Sequence, residues 1–311
     1  MRPENVLKCS SMATFYVGTA GWSYEDWEGI VYPPEKPRGF HALPFLARLI
    51  DIVEVNSTFY RPASAHMAMS WLRKVEAFPN FLFAVKLYQA FTHKRDAFGQ
   101  KDVDDFRAGI DPLRLRERLA AVLVQFPWSY LNTPENRDHL ARLFALFAEY
   151  PLALEVRHSS WDTPEFLQLL EENKVAFCNI DQPVFNNSIK PSAVTTNPDF
   201  AYVRLHGRNY KNWFRAGAGR DDRYDYLYDK GELQEWIDRI KQLGQKSGKI
   251  YVITNNHYRG QAMANALQIK NMLSGEKLEI PRLLVERYPA LEEILKKIRK
   301  GQRDLFDDKE V

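Results

Sequence analysis

Short apolar runs recur along this chain, separated by longer stretches in which apolar and polar residues alternate at helical spacing. Eight runs read as strands: Phe15–Thr19, Ile52–Asn56, Phe81–Lys86, Ala121–Phe126, Leu152–Val156, Val175–Asn179, Phe200–His206 and Lys249–Asn255. The stretches Gly39–Ile50, Ala63–Ala77, Val103–Leu119, Pro134–Ala148, Pro164–Asn173, Gly231–Leu243 and Gln261–Leu273 read as amphipathic helices. Thr133-Pro134 and Thr163-Pro164 are good helix starts, because threonine caps the free amides and the fixed φ of proline suits the first helical position. Alternating strands and helices predict a parallel sheet, and eight units predict closure into a single (β/α)8 TIM-type barrel, a fold of about 250 residues. The sixth unit departs from the pattern. Asp181–Asp199 holds three prolines and little helical period, so a long irregular connection is expected there. Pro281–Lys300 adds an expected C-terminal helix outside the barrel. The barrel domain is expected over 13–300, with 1–12 as a disordered extension, Met12 as an alternative start, and 301–311 as a polar tail.

Alternation along a strand assigns faces. In strand seven, Ala201, Val203 and Leu205 share one face, and Tyr202, Arg204 and His206 share the other. The aliphatic set suits burial under helices. The polar set is costly to bury unless paired, so it belongs inside, near the barrel mouth. The same parity turns Glu54 and Asn56 inward from strand two, Lys86 from strand three, Gln125 from strand four, and Glu155 and Arg157 from strand five. Asn179 and Asp181 are assigned inward from strand six. These groups sit at the C-terminal ends of the strands, the catalytic face in barrels of this kind. The loops that follow interleave aromatics with cations: Trp22, Tyr24, Trp27 and Tyr32; Phe59, Tyr60 and Arg61; Trp128 and Tyr130; His158 and Trp161; Arg208, Tyr210, Lys211, Trp213, Arg215 and Arg220. Such a set suits a stacking, anion-binding cleft, and 207–230 is long enough to act as a lid.

Composition narrows the field only a little. Hydrophobic content of 45%, charged content of 27% and a net charge of +3 are ordinary for a globular protein, so any basic footprint would have to be local. No apolar run reaches the roughly 18 residues of a membrane span, and 1–12 lacks the apolar core of a secretory signal. The two cysteines, Cys9 and Cys178, lie far apart and give no disulfide framework. A reducing, cytoplasmic setting is expected. Gly217-Ala-Gly219 does not open a helix after a strand and is not a phosphate loop, and Ser57, Ser129 and Ser159 lack a nucleophile-elbow setting.

Five short segments carry a resemblance: Gly18-Thr-Ala-Gly-Trp22, Glu54-Val-Asn-Ser-Thr-Phe-Tyr60, Glu155-Val-Arg157 with Trp161, Arg204-Leu-His-Gly-Arg208, and Asn255-Asn-His257 with Asn265-Ala266. In order and spacing they resemble the YecE-like family, also labelled domain of unknown function seventy-two, over about Phe15 to Pro281. The resemblance implies a TIM-type barrel and brings no established activity. The family's barrel is similar to those of endonuclease IV and xylose isomerase, an analogy of fold. Endonuclease IV-like enzymes hold a zinc cluster. Here Lys86, Arg157 and Arg204 stand among the acids and would repel a dication, so no metal ligand is assigned. Room is left for a single Mg²⁺ or Mn²⁺ held by carboxylates and a substrate phosphate.

The expected function is an enzyme acting on a phosphorylated or otherwise anionic substrate, nucleic-acid phosphodiesters included. In that reading Glu54 or Glu155 is the general base and His206 the proton donor. Lys86, Arg157 and Arg204 hold the anion. Trp22, Asn56, Tyr60, Gln125, Asp181, Asn255, Asn256 and His257 complete the substrate site. Two other readings use the same cleft: a non-catalytic module for a small anion or single-stranded nucleic acid, and, by barrel analogy, a metal-assisted sugar isomerase. The sequence names no protein partner.

Overall fold

A computed structural model describes residues 13–95, 98–215, 217 and 219–296, without the side chain of Arg220. The expected extension over 1–12, the tail over 301–311 and the cleft role of Arg220 lie outside the described residues. Eight parallel strands pair in sequence order and close into one barrel. They are β1 (Thr14–Ala20), β2 (Ile52–Val55), β3 (Leu82–Lys86), β4 (Leu119–Gln125), β5 (Leu152–Glu155), β6 (Ala176–Asp181), β7 (Phe200–Leu205) and β8 (Lys249–Thr254). Closure runs through β1 against β8, with Gly18 beside Ile253. Gly18 also marks a close approach to β2, since a Cβ there would lie 1.7 Å from the carbonyl oxygen of Ile52.

The helices of the outer layer are α1 (Ala42–Ala47), α2 (Ala65–Lys74), α3 (Gln100–Leu115), α4 (Pro134–Leu146), α5 (Pro164–Glu172), α6 (Lys230–Leu243), α7 (Gln261–Ser274) and α8 (Arg282–Arg287). Thr133 and Thr163 cap α4 and α5 as expected, each accepting at 3.3 Å from the amide three residues on. α3 starts earlier than the apolar spacing implied, because the Asp102 carboxylate accepts from the Gly99 amide and closes its first turn. It also stops at Leu115, and Glu117 turns the chain with φ +56. The expected C-terminal helix is broken. α8 ends before Tyr288, whose position ahead of Pro289 disfavours helical geometry, and a 3₁₀ segment follows over Pro289–Ile294. The sixth unit has no helix between β6 and β7, as its prolines indicated.

Two apolar layers sandwich the strands. Val53, Val55, Phe83, Val85, Val122, Val124, Leu152, Leu154, Val203 and Leu205 pack outward against the helices. Ile52, Ala84, Leu123, Ala153, Cys178, Ile180, Tyr202 and Ile253 fill the barrel interior. The packed interior gives the polar residues above it a rigid floor. Among the described residues no helix is long and apolar enough to cross a membrane.

Parity held for strands two, three, four, five and seven and failed for strand six. Cys178 and Ile180 fill the interior, so Asn179 and Asp181 face outward. With no helix covering this unit, loop backbone lies against the strand, and backbone groups need partners. Asn179 supplies them: its side chain accepts from the Val194 amide at 2.8 Å and donates to the Val194 carbonyl at 2.9 Å.

Candidate active site

Arg204 on β7 is the centre of the site. Its guanidinium donates to Glu54 of β2 at 2.7 Å and to Glu155 of β5, and it reaches Gln125 at 3.4 Å. The second oxygen of Glu54 accepts from the Tyr202 hydroxyl at 3.0 Å. Arg157 folds back over Glu155 and donates to its Oε1 at 2.9 and 2.7 Å. All of this network except Gln125 and Arg157 is buried. Burial pushes the Glu155 carboxyl up, but the charges of Arg204 and Arg157 outweigh it and hold it well below the usual carboxylate range.

His206 is fully buried beside this pair. Its Nε2 faces Glu155 Oε1 at 3.3 Å, and its Nδ1 takes the Asn255 amide at 2.9 Å. A donor at Nδ1 leaves the ring proton on Nε2, facing the carboxylate. Burial lowers its pKa from 6.5 to about 3, even against the pull of Glu155, so the imidazole is neutral.

Above this layer lies an open cavity of about 450 Å³, within the range of ligand pockets. Nine of the fourteen expected site residues line it: Trp22, Asn56, Tyr60, Lys86, Gln125, Arg157, Arg204, Asn255 and His257. Three do not reach it. Glu54, Glu155 and His206 are fully buried, absent from the cavity wall and turned to the arginine network. The expected base and acid are thus occupied by their neighbours. Two others lie elsewhere. Asp181 points to the outer layer, where it accepts from Arg208 at 2.8 Å and from the Trp236 indole. Asn256 donates to the Tyr226 carbonyl and to Asn265, each at 2.8 Å, and so ties the seventh loop to α7.

The loop aromatics divide in the same way. Trp27, Tyr32, Tyr130 and Trp161 are buried packing groups, whereas Trp22, Tyr24, Phe59 and Tyr60 face the cavity. Tyr24 stacks on His257 with ring centroids 4.5 Å apart. Tyr224, from the short helix Arg220–Tyr224, lines the wall and was not singled out from sequence. Its signal was an aromatic in a loop long enough to fold back over the mouth. Gly207 starts that fold with φ +92, where a Cβ would meet Tyr226 at 2.7 Å. Arg208, expected in the cleft, is spent on Asp181 and Glu232, and Arg215 pairs with Asp222.

Residues 16–289 match the sequence profile of the family described as protein of unknown function DUF72. The chain belongs to that family. It is 30% identical over 274 residues to UPF0759 protein YunF of Bacillus subtilis, covering 84% of this chain and 95% of that protein. It also resembles the crystal structure of a DUF72 family protein from Thermotoga maritima, with 36% identity and a TM-score of 0.73 over 84% of this chain and 99% of that one. A DUF72 protein of Enterococcus faecalis is 26% identical, with a TM-score of 0.74 over 84% and 95% of the two chains.

The donor set of this DUF72 barrel does not fit the Mg²⁺ or Mn²⁺ left open by the sequence. Among the described residues no three His, Cys, Asp or Glu side chains gather as metal ligands. Glu54 and Glu155 already bind Arg204, and Lys86 and Arg157 stand on the cavity side of them. What the cavity does offer is an amine. Lys86 Nζ lies 4.2 Å from the centre of the Phe59 ring, partly exposed, and no carboxylate lies within ion-pair distance of it among the described residues. Burial, with Arg204 next, lowers its pKa to about 7.

Proposed function

We propose that the barrel mouth is the active site of an enzyme acting on a small phosphorylated or otherwise anionic substrate. The observation that carries this reading is the charge balance. Glu54 and Glu155 oppose Arg204 and Arg157, which leaves Lys86 as an unmatched amine facing the cavity. An anion bound beside Arg157 and Lys86 restores the balance. Arg157 at the rim and the amides of Asn56, Gln125 and Asn255 add donors around it. In this reading Glu54, Glu155 and His206 are positioning residues that fix the two arginines. The test is calorimetric titration with inorganic phosphate and sugar phosphates, followed by a turnover screen of the compounds that bind. Lys86→Met should weaken binding at least tenfold, about 1.4 kcal/mol, and abolish turnover while the fold is kept. Unchanged binding and turnover would overturn the assignment.

One observation favours a nucleotide or single-stranded nucleic acid among such anions. A second hollow of about 380 Å³ shares Arg157 and Tyr224 with the first and is lined by Trp128, Trp213, Phe214 and Arg223. Its aromatics suit base stacking while the first cavity takes the phosphate. Oligonucleotide binding with a steep salt dependence and no product would support a binding module in place of an enzyme.

A further inference from the structure

We infer that Lys86 is a nucleophile that forms a Schiff base with the carbonyl group of a phosphorylated or carboxylated aldehyde or ketone. This rests on the reading of the barrel mouth as an anion site and adds a covalent step to it.

Three features of the site support the step. First, the amine projects from the end of β3 into the cavity and carries no carboxylate partner within 4 Å among the described residues. Second, its neighbours disfavour the ammonium form. Burial and the guanidiniums of Arg204 on β7 and Arg157 just after β5 penalise a third charge, and they outweigh the face of the Phe59 ring, which lies 4.2 Å away and attracts a cation. Glu54 and Glu155 pull the other way, but each is already engaged by an arginine. His93 also faces this group and is itself lowered to about 4, by burial first and then by Lys86, so it brings no proton near neutrality. Third, Arg157 remains at the rim, where it can hold the substrate's anionic end while the carbonyl meets the amine.

The balance is simple. The neutral amine adds to the carbonyl carbon and gives a carbinolamine. Uptake of one proton from cavity water expels the hydroxyl as water and leaves an iminium. No oxidant or reductant is consumed, and hydrolysis returns the amine. The iminium restores a positive charge at Lys86 and acidifies the neighbouring C–H or C–C bond of the substrate, as in aldol-type chemistry.

The experiment is reductive trapping. The full chain is incubated at pH 7.5 with dihydroxyacetone phosphate, glyceraldehyde 3-phosphate or pyruvate. Sodium borohydride is added, and the adduct is mapped by peptide mass spectrometry. One adduct per chain is expected, at Lys86, forming at least tenfold faster than at any surface lysine, because a free amine near 10.4 is about 0.1% neutral at this pH. Labelling should rise with pH about a midpoint near 7 and vanish in Lys86→Arg. Adducts spread over surface lysines with none at Lys86 would overturn the covalent step. Calorimetry with inorganic phosphate on the same protein separates the outcomes. Phosphate binding without Lys86 labelling removes the Schiff base and keeps the anion site; loss of both removes both.

Discussion

His206→Gln should flatten the acid limb of the stability curve. The imidazole is fully buried, and its pKa falls from 6.5 in the open chain to about 3 in the fold. The unfolded chain therefore binds a proton below pH 6.5 that the folded chain refuses. Stability is lost as pH falls through that window, at about 1.4 kcal/mol per unit. From pH 7.5 to 4.5 the histidine crosses about two units below its open-chain value, so its share of the loss is about 2.5–3 kcal/mol. Glutamine can donate to Glu155 and accept from Asn255 without titrating. His93 and His41 are also lowered and shed stability in acid, but both proteins keep them. The measurement is urea unfolding of both proteins at pH 7.5 and 4.5 at fixed ionic strength. The wild type should lose about 2.5–3 kcal/mol more than the variant. If His206 were instead charged and paired with Glu155, its pKa would be raised and acid would favour the fold. Equal losses, or a larger loss in the variant, would refute the neutral assignment.

Arg204→Met leaves two buried carboxylates short of a partner and should cost about 3–5 kcal/mol in urea unfolding at pH 7.5. Adding Glu54→Gln and Glu155→Gln should return a large part of that loss, and a variant set with no recovery would argue against uncompensated charge as the cause. Asn179→Ala should expose the Val194 amide to hydrogen exchange and cost about 1–3 kcal/mol, because that amide and its carbonyl both lose their partner. Gly18→Ala puts a Cβ against the Ile52 carbonyl, so β1 and β2 must part; a loss of about 1–3 kcal/mol, read as a lower thermal midpoint, is expected.

The barrel itself was legible because strands two to five and seven carry a clean outward aliphatic set, such as Val53 and Val55 or Val122 and Val124, whereas strands one and eight read as apolar on both faces. Parity then turned Glu54, Lys86, Gln125, Glu155 and Arg204 inward correctly. Strand six misled for a physical reason that was partly visible. A prolyl connection without a helix means that loop backbone covers the outer face, and such a face needs polar groups like Asn179. Depth was not legible. Gln125 and Glu155 are partners in register at the same height, yet one lines the cavity and the other does not. The difference comes from Arg157, two residues after Glu155, whose guanidinium covers the carboxylate. Alternation assigns a face; it does not say which charged neighbour will fold back along it.

The vertical order of charge limits the chemistry open to the mouth. The acids lie beneath, each held by an arginine, and the groups on the cavity wall are cations, amides and aromatic rings. A carboxylate base would have to leave a buried, doubly bonded pair, a step that costs several kcal/mol before any proton moves. The amine of Lys86 needs no such release, because nothing anionic holds it. In the proposed reading, the chemistry that fits this arrangement therefore begins with the amine of Lys86. The buried acids act on it indirectly, by holding Arg157 and Arg204 beside Lys86, where their charge disfavours the ammonium form.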